Sequence, residues 1–521
     1  MVEDLSVNIK RSAKGSFILL IGQVLSTTLS AFGIILVARF LGATSFGIVS
    51  VALIPLGFAN LFLDWGTSSA LIKYLSQYRY ENKPENRRLL IESALFLNTF
   101  IGAIMTLGLF ATSGYLAQYV FMQPEIEILI KYSSFSILGN SLLRISWATA
   151  VGYERMELRI GTTIIYSLLK SVTGPILIYL GYGPVGAILG DTGPVLFSGI
   201  IGVFFIWILW RSEKPVKPTM NHLEGIRFLL QYGYPLFFAT LITGIIPSIN
   251  NYLLALNVSH ELIGNYAAGV RFAALISFFS MPIATVMFPL YSKLENDLQT
   301  LKTVYQNSVK FTAIIIFPIA AVIIAMADQI VSILYDTGYE HTPLFMRMYM
   351  LLFVLHGFGG LNTPSLLNSL RETRVNFRAS AVNTITTVPL SIFLIPRLGV
   401  VGFLIATISG PVISLAYRLI WMHNNIKFTI LWMSSAKALL AALVSYGIST
   451  AFISYIQVNS LIELFTGGLI FLITYIVGVI ILKILTPTDL NYMENIFNSL
   501  GPLSKIFTLI IQTIRKLSGY N

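Results

Sequence analysis

Gly183-Pro184-Val185-Gly186, followed by Gly193-Pro194, reappears downstream as Gly399-Val400-Val401-Gly402, followed by Gly410-Pro411. The separation is 216 residues at the first glycine and 217 at the Gly-Pro pair. Working outward, Glu154-Arg155-Met156 faces Glu372-Thr373-Arg374 at 218, and Phe46-Gly47 faces Ile263-Gly264 at 217. Each landmark follows a matching hydrophobic segment. Glycine and proline are common in membrane helices, but four landmarks at one offset indicate an internal duplication. Duplicated hydrophobic chains are characteristic of transporters that move one half against the other around a central site.

The surroundings of the repeat fix the solvent. Of 521 residues 55% are hydrophobic and 11% charged, with mean hydropathy +0.77, whereas a soluble domain carries about 25% charged residues. The apolar runs are continuous and each approaches the ~20 residues that cross hydrocarbon as a helix. A transmembrane barrel would instead show short alternating segments. The expected fold is an all-α polytopic membrane protein of about fourteen transmembrane helices. Spans are expected at roughly 16–38, 46–66, 89–110, 128–150, 162–180 and 185–210. Six more are expected at roughly 228–250, 263–290, 310–328, 344–366, 377–396 and 400–421, and two at roughly 436–456 and 461–485. The repeat divides these into six-helix lobes at 1–215 and 216–428, two extra helices at 429–490, and a tail at 491–521. Six is even, so both lobes enter from the same side and their symmetry axis runs along the membrane normal.

Basic residues test the count. Alternate connections hold Lys10, Arg11 and Lys14, then Lys73 to Arg88, Arg155 and Arg159, and so on to Lys516, in all 27 of the 34. The opposite side holds only Arg39 and Arg397, and five lie within spans. That asymmetry places both termini in the cytoplasm. The net charge of +11 therefore reflects topology and anionic lipid, and no nucleic-acid partner is implied. The first apolar run is too long for a cleaved signal and is expected to act as an uncleaved anchor. In the tail, Leu503, Ile506, Phe507, Ile510, Ile514 and Leu517 share one helical face, as in a helix lying in the cytoplasmic interface.

No Gly-rich loop ends in Gly-Lys-Ser/Thr, so no nucleotide site of that kind is expected. The absence of cysteine excludes disulfides and thiolate metal sites. Asp336, Glu340 and His341 form a small polar cluster that reads as a solvated loop. The outer connections are too short for a catalytic domain. Neither enzyme activity, cofactor nor metal is expected.

Charges inside hydrocarbon cost several kcal/mol and face a cavity or a partner. The five basic ones are Lys131, Arg144, Lys170, Arg271 and Arg347, and the clearest acidic ones are Asp64 and Asp191. Lys131 and Arg347 lie within a turn of the outer boundary, where snorkelling accounts for them. Arg144 is about 9 Å from the inner end. Lys170 and Arg271 lie deeper, and the pair reads as lining of a water-filled cavity with positive potential, fit for a phosphate-bearing substrate. Asp64 and Asp191 are candidates for counter-charge or ion coupling. These charges are not duplicated: at the repeat offset Arg271 matches Ile54, and Asp64 matches Met281. Gly174-Pro175 in span five and Pro389 in span eleven fall at roughly corresponding places, and spans two and eight carry Pro55 and Pro282. Such breakers are candidate hinges.

Two stretches carry a resemblance: Ala38-Arg39-Phe40-Leu41-Gly42-Ala43-Thr44-Ser45-Phe46-Gly47, and Leu180-Gly181-Tyr182-Gly183-Pro184-Val185-Gly186-Ala187. With the arrangement of spans, they resemble the polysaccharide-exporter branch of the multidrug, oligosaccharidyl-lipid and polysaccharide transporter superfamily. The resemblance implies two lobes in a V around a central cavity, which opens alternately to each side. It implies transport of a polyprenyl-linked oligosaccharide from inner to outer leaflet, with membrane lipids and other polysaccharide-assembly membrane proteins as partners. A monomer in the plasma membrane of a prokaryote is expected. Spans one, two, seven and eight would line the cavity, making Arg39, Asp64 and Arg271 its natural members. Lys170 and Arg144 are added on depth alone. The alternatives are a cation-coupled multidrug exporter of the same superfamily, and a membrane glycosyltransferase or polymerase.

Overall fold

The structure, a computed structural model, describes residues 2–81, 85–211, 220–335, 337–456, 458–487, 489–491 and 515. Among them there is no strand, and the protein is an all-α polytopic membrane protein. Ten helical stretches are long and apolar enough to cross a bilayer. Three of them are far longer than ~20 residues: 22–61, 156–211 and 373–426. Each contains glycine with a non-helical backbone, at Gly42, at Gly181 and Gly183, and at Gly399. A continuous helix of 56 residues would run to about 84 Å, well beyond the ~30 Å of hydrocarbon. These glycines interrupt the helical backbone within the three overlong stretches. The duplication is visible in the backbone itself. Gly183 has φ 50° and ψ −133°, and its repeat partner Gly399 has φ 57° and ψ −131°, a region essentially reserved for glycine.

The helices pack as two compact units. The first comprises Met1–Arg271, Tyr335–Glu340 and Ser391–Phe403. Its helices are α1 (Val2–Ala52), α2 (Ile54–Leu61), α3 (Thr67–Tyr80), α4 (Arg87–Tyr115), α5 (Glu127–Gly152), α6 (Met156–Leu177), α7 (Gly183–Arg211), α8 (His222–Asn257) and α9 (His260–Val270). The boundary of packing at Arg271 lies beyond the boundary of the sequence repeat, because α8 and α9 pack onto the helices before them. Asn221 and Glu224 form a reciprocal capping box that starts α8, each side chain accepting the other's backbone N–H at 2.9 Å.

Small residues let these helices approach closely, as is usual where lipid removes any hydrophobic drive between helices. Along α1 and α6, Ser26 bonds Ser167, the Ser171 hydroxyl donates to the Leu29 carbonyl at 2.6 Å, and a side chain at Gly33 would strike the Ser171 backbone at 2.4 Å. Between α6 and α7, a Cβ at Gly190 would lie 2.2 Å from the Gly174 Cα. Helix α6 runs unbroken through Gly174-Pro175, so Gly174 serves close packing there.

The second unit comprises Phe272–Leu334, His341–Leu390 and Leu404–Asn521. It holds α10 (Ala273–Lys293), α11 (Leu298–Ala325), α12 (Ala327–Leu334), α13 (Thr342–Val354), α14 (Asn362–Ser369), most of α15 (Thr373–Ile426), α16 (Trp432–Ile456) and α17 (Ser460–Ile481). Phe317, Ala441, Phe471 and Tyr475 centre one apolar core, and Tyr291, Tyr305, Leu366 and Met422 another. Pro282 and Pro389 lie inside continuous helix, in α10 and in α15 before Gly399. Below α17, buried Lys310 of α11 pairs with buried Asp489. Asp336 and the tail, apart from Asn491 and Arg515, lie outside the described residues.

Candidate functional site

The site forms where two repeat-related helices meet inside the first unit. Gly47 of α1 and Gly264 of α9 are repeat partners, and they touch. A Cβ on Gly47 would lie 1.8 Å from the His260 carbonyl oxygen, and a Cβ on Gly264 would lie 1.9 Å from that of Ala43. Ala43 and His260 stand at the same offset of 217, so the contact is reciprocal, as across a local two-fold axis. Tyr339 donates to the Ala38 carbonyl at 2.6 Å and Asn265 to that of Gly338 at 2.8 Å. These bonds tie the segment Tyr335–Glu340 to the same unit.

One turn further along both helices the backbones separate around a cavity of about 340 Å³. Ser50, Leu53, Ile54 and Gly57 supply one wall, and Ile263, Tyr266, Ala267, Val270 and Arg271 the facing one. Both sets follow the i, i+3, i+4, i+7 spacing of a single helix face. Ser50 and Ala267, Leu53 and Val270, and Ile54 and Arg271 are repeat partners at 217. Ser248, Asn251 and Leu254 of α8 complete the lining.

Both helices are interrupted at that level. The chain breaks between α1 and α2 at Leu53, where Pro55 cannot donate a backbone hydrogen bond. It breaks between α9 and α10 at Arg271, which caps α9. Broken helices at matched places in two repeats mark the binding region of many transporters.

A second, smaller cavity of about 110 Å³ adjoins the first, sharing Ser50, Leu53 and Arg271 with it. Its lining includes Lys170 of α6 and Asp191 of α7, which form an ion pair. The Tyr166 hydroxyl donates to Asp191 Oδ1 at 3.0 Å and accepts from Lys170 Nζ at 3.3 Å. Gly174, one turn after Lys170, and Gly190, next to Asp191, hold the two helices close enough for the pair to form. Arg271 is exposed and lines both cavities. It acts electrostatically with Asp191, Tyr266 and Tyr335, yet among the described residues its guanidinium makes no hydrogen bond or ion pair.

The other candidates are dispersed. Lys131 pairs with Glu127 at 2.6 Å, and Arg347 with Asp328. Arg144 is half-buried on α5, and Arg39 is exposed; both lie apart from the two cavities. Asp64 Oδ1 accepts the Thr67 hydroxyl at 3.1 Å and the Ser68 N–H at 3.2 Å, at the start of α3. Pro55 stands at the break beside Leu53. Sequence reasoning passed over Tyr166, one turn before an in-span lysine, and the neutral polar lining of Ser50, Ser248, Asn251 and Tyr266.

Comparison with known proteins places the class of molecule. Residues 36–342 match the family described as polysaccharide biosynthesis protein, and the chain belongs to that family. It is similar to the probable low-salt glycan biosynthesis flippase Agl15 of Haloferax volcanii, with 21% identity over 87% of this chain and 93% of the relative. Its fold resembles that of the lipid II flippase MurJ in an inward closed conformation, with TM-score 0.72 and 17% identity over 89% of this chain and 98% of the other. It also resembles an inward-facing multidrug transporter of the MATE family, with TM-score 0.66 and 17% identity over 77% and 94%.

Proposed function

We propose that this protein is a flippase that carries a polyprenyl-(pyro)phosphate-linked oligosaccharide from the inner to the outer leaflet by alternating access, for assembly of a surface glycan. It is a transporter and not an enzyme. Fourteen spans, as six-helix lobes at 1–215 and 216–428 followed by two more helices, agree with the ten long stretches once the glycine breaks divide three of them. The fourteenth is α5, a helix of 26 residues and so long enough to span. Cytoplasmic termini, a prokaryotic plasma membrane and a monomeric state complete the reading.

The observation that carries it is Arg271: a guanidinium in mid-span, at a helix break, facing a cavity without a carboxylate of its own. An arginine fork matches two phosphate oxygens, and the cost of placing it in the membrane is offset when such an anion arrives. A multidrug exporter for organic cations is the second reading, favoured by the likeness to the MATE transporter. An unpaired cation in the cavity opposes it, since it repels that cargo.

The test is translocation of a labelled polyprenyl-diphosphate oligosaccharide in proteoliposomes, beside efflux of an organic cation. Arg271→Ala is expected to lower translocation at least tenfold at unchanged protein level, and Arg271→Lys to recover part of it. Cation efflux with no movement of the lipid-linked sugar would transfer the protein to the multidrug class.

A further inference from the structure

The Lys170–Asp191 pair faces the same cavity as Arg271, although phosphate binding by Arg271 alone does not require it. We propose that this pair is a proton-operated counter-ion exchange: Asp191 takes up a proton as the diphosphate binds, and Lys170 moves from the carboxylate to a phosphate oxygen. The inference rests on the flippase reading given above.

Charge balance leads to it. Lys170, Asp191 and Arg271 together carry one net positive charge, whereas a polyprenyl-diphospho-sugar, esterified at both phosphates, carries two negative charges. Binding with the pair intact leaves one charge unmatched in a low-dielectric span. Binding with the pair broken leaves an ionised carboxylate beside a dianion, and like charges at such range disfavour ionisation. A proton from water on the Asp191 carboxylate removes both conflicts: two cations then face two negative charges. No bond other than O–H forms, and the proton leaves when the pair closes again.

The geometry fits such an exchange. The Tyr166 hydroxyl stays within hydrogen-bond range of both partners, so it can hold the protonated acid while the ammonium turns away. Both side chains of the pair retain about a quarter of their surface, at 26% and 25%, and this surface opens on the cavity. Among the described residues, three titratable groups act on Asp191. Helix α6 brings Lys170 and Tyr166, and Arg271 acts from the end of α9. Helix α1 faces the cavity with Gly33, Ile34 and Val37, and α5 meets α7 through Ser136, bonded to Thr192 at 2.8 Å. The charged residues of α5 line neither cavity.

The experiment is calorimetric titration of the full chain in nanodiscs with polyprenyl-diphospho-N-acetylglucosamine, in two buffers of different ionisation heat, between about pH 5.5 and 8. Neither phosphate of this diester titrates in that range, so any linked proton belongs to the protein. Wild type is expected to take up close to one proton per ligand at the upper end, its affinity falling by up to tenfold per pH unit. Asp191→Asn is expected to bind without proton uptake, independently of pH, and at least tenfold tighter than wild type at pH 8. The Lys170→Gln/Asp191→Asn double variant keeps the shape of a neutral pair. It is expected to show flat, weaker binding, which guards against a misfolded single variant. Wild-type binding without proton uptake, or uptake that persists in Asp191→Asn, would overturn the exchange while leaving the flippase reading intact. No wild-type binding at any pH would overturn the flippase reading and the exchange with it.

Discussion

Adding a single methyl group at Gly47 tests the reciprocal helix contact. The Cβ of Gly47→Ala would sit 1.8 Å from the His260 carbonyl oxygen, against a backbone atom that cannot rotate aside. Reaching ordinary contact requires the two helices to part by about 1.5 Å, and overpacking of this kind costs about 1–3 kcal/mol. On the topology proposed above, the contact seals the outer end of the cavity. The cost falls on the closed state alone, so the outward-open population rises about 5- to 150-fold. The chain contains no cysteine, so Ala267→Cys places a single reporter on the cavity wall. Its labelling by a membrane-impermeant maleimide from outside intact cells is expected to accelerate in the Gly47→Ala background. Gly264→Ala meets Ala43 at 1.9 Å and is expected to act equally, which is the signature of the local two-fold. Unchanged labelling in both variants, at normal protein level, would refute the assignment of this contact as the outer seal.

Other consequences are simpler to measure. Lys310→Ala leaves the buried Asp489 carboxylate without its cation, and a broken buried pair costs about 3–5 kcal/mol; a marked fall in thermal unfolding temperature is expected. Burial pushes the Asp489 carboxyl up, but hydrogen bonds from Lys310 and from Thr486, whose N–H lies at 2.6 Å, outweigh it and hold the group below the usual carboxylate range. A depressed acid contributes stability that is present above its unfolded value of about 3.9 and disappears as pH falls through the folded one. The contribution of Asp489 should therefore hold from pH 7 to about 5 and be lost progressively as pH falls below that and through the folded value, and Asp489→Asn should remove that part of the acid transition. Asp64→Ala is expected to lower stability by about 1 kcal/mol through loss of a helix-start acceptor, while Asp64→Asn, which keeps an acceptor oxygen, retains translocation; loss of transport in the latter would return Asp64 to the list of coupling groups.

The all-α membrane fold was legible because hydrocarbon imposes length and apolarity on every crossing segment. The glycine turns were legible too, because the backbone at Gly183 and Gly399 tolerates no side chain, so the duplication survives there in the sequence. Helix α5 was read as a span at 128–150 despite Lys131 and Arg144 because its apolar run was long enough to cross. Arg271 stood out by its depth and by the span it lies on. Its helix break did not, since Pro282, the obvious breaker of that span, lies a full helix segment later in continuous α10. The Lys170–Asp191 pair is a tertiary fact: the residues sit on different helices, brought together by glycine contacts that have no signature of pairing. The packing boundary at Arg271 was hidden for the same reason, because a repeat records descent and says nothing of which helices adhere.

That difference between descent and chemistry bears on how the cavity works. Ser50, Leu53 and Ile54 face their own duplicates Ala267, Val270 and Arg271, so two duplicated walls differ in charge. A symmetric pair of arginines would hold a dianion tightly from both sides and release it poorly. Arg271 opposite Ile54 gives a single fixed cation. Lys170, held by Asp191, offers a second whose availability follows a proton. Tight binding and release are then separate states of one site, as a carrier needs if its ligand must leave on the far side, and the fold's symmetry supplies the motion between them.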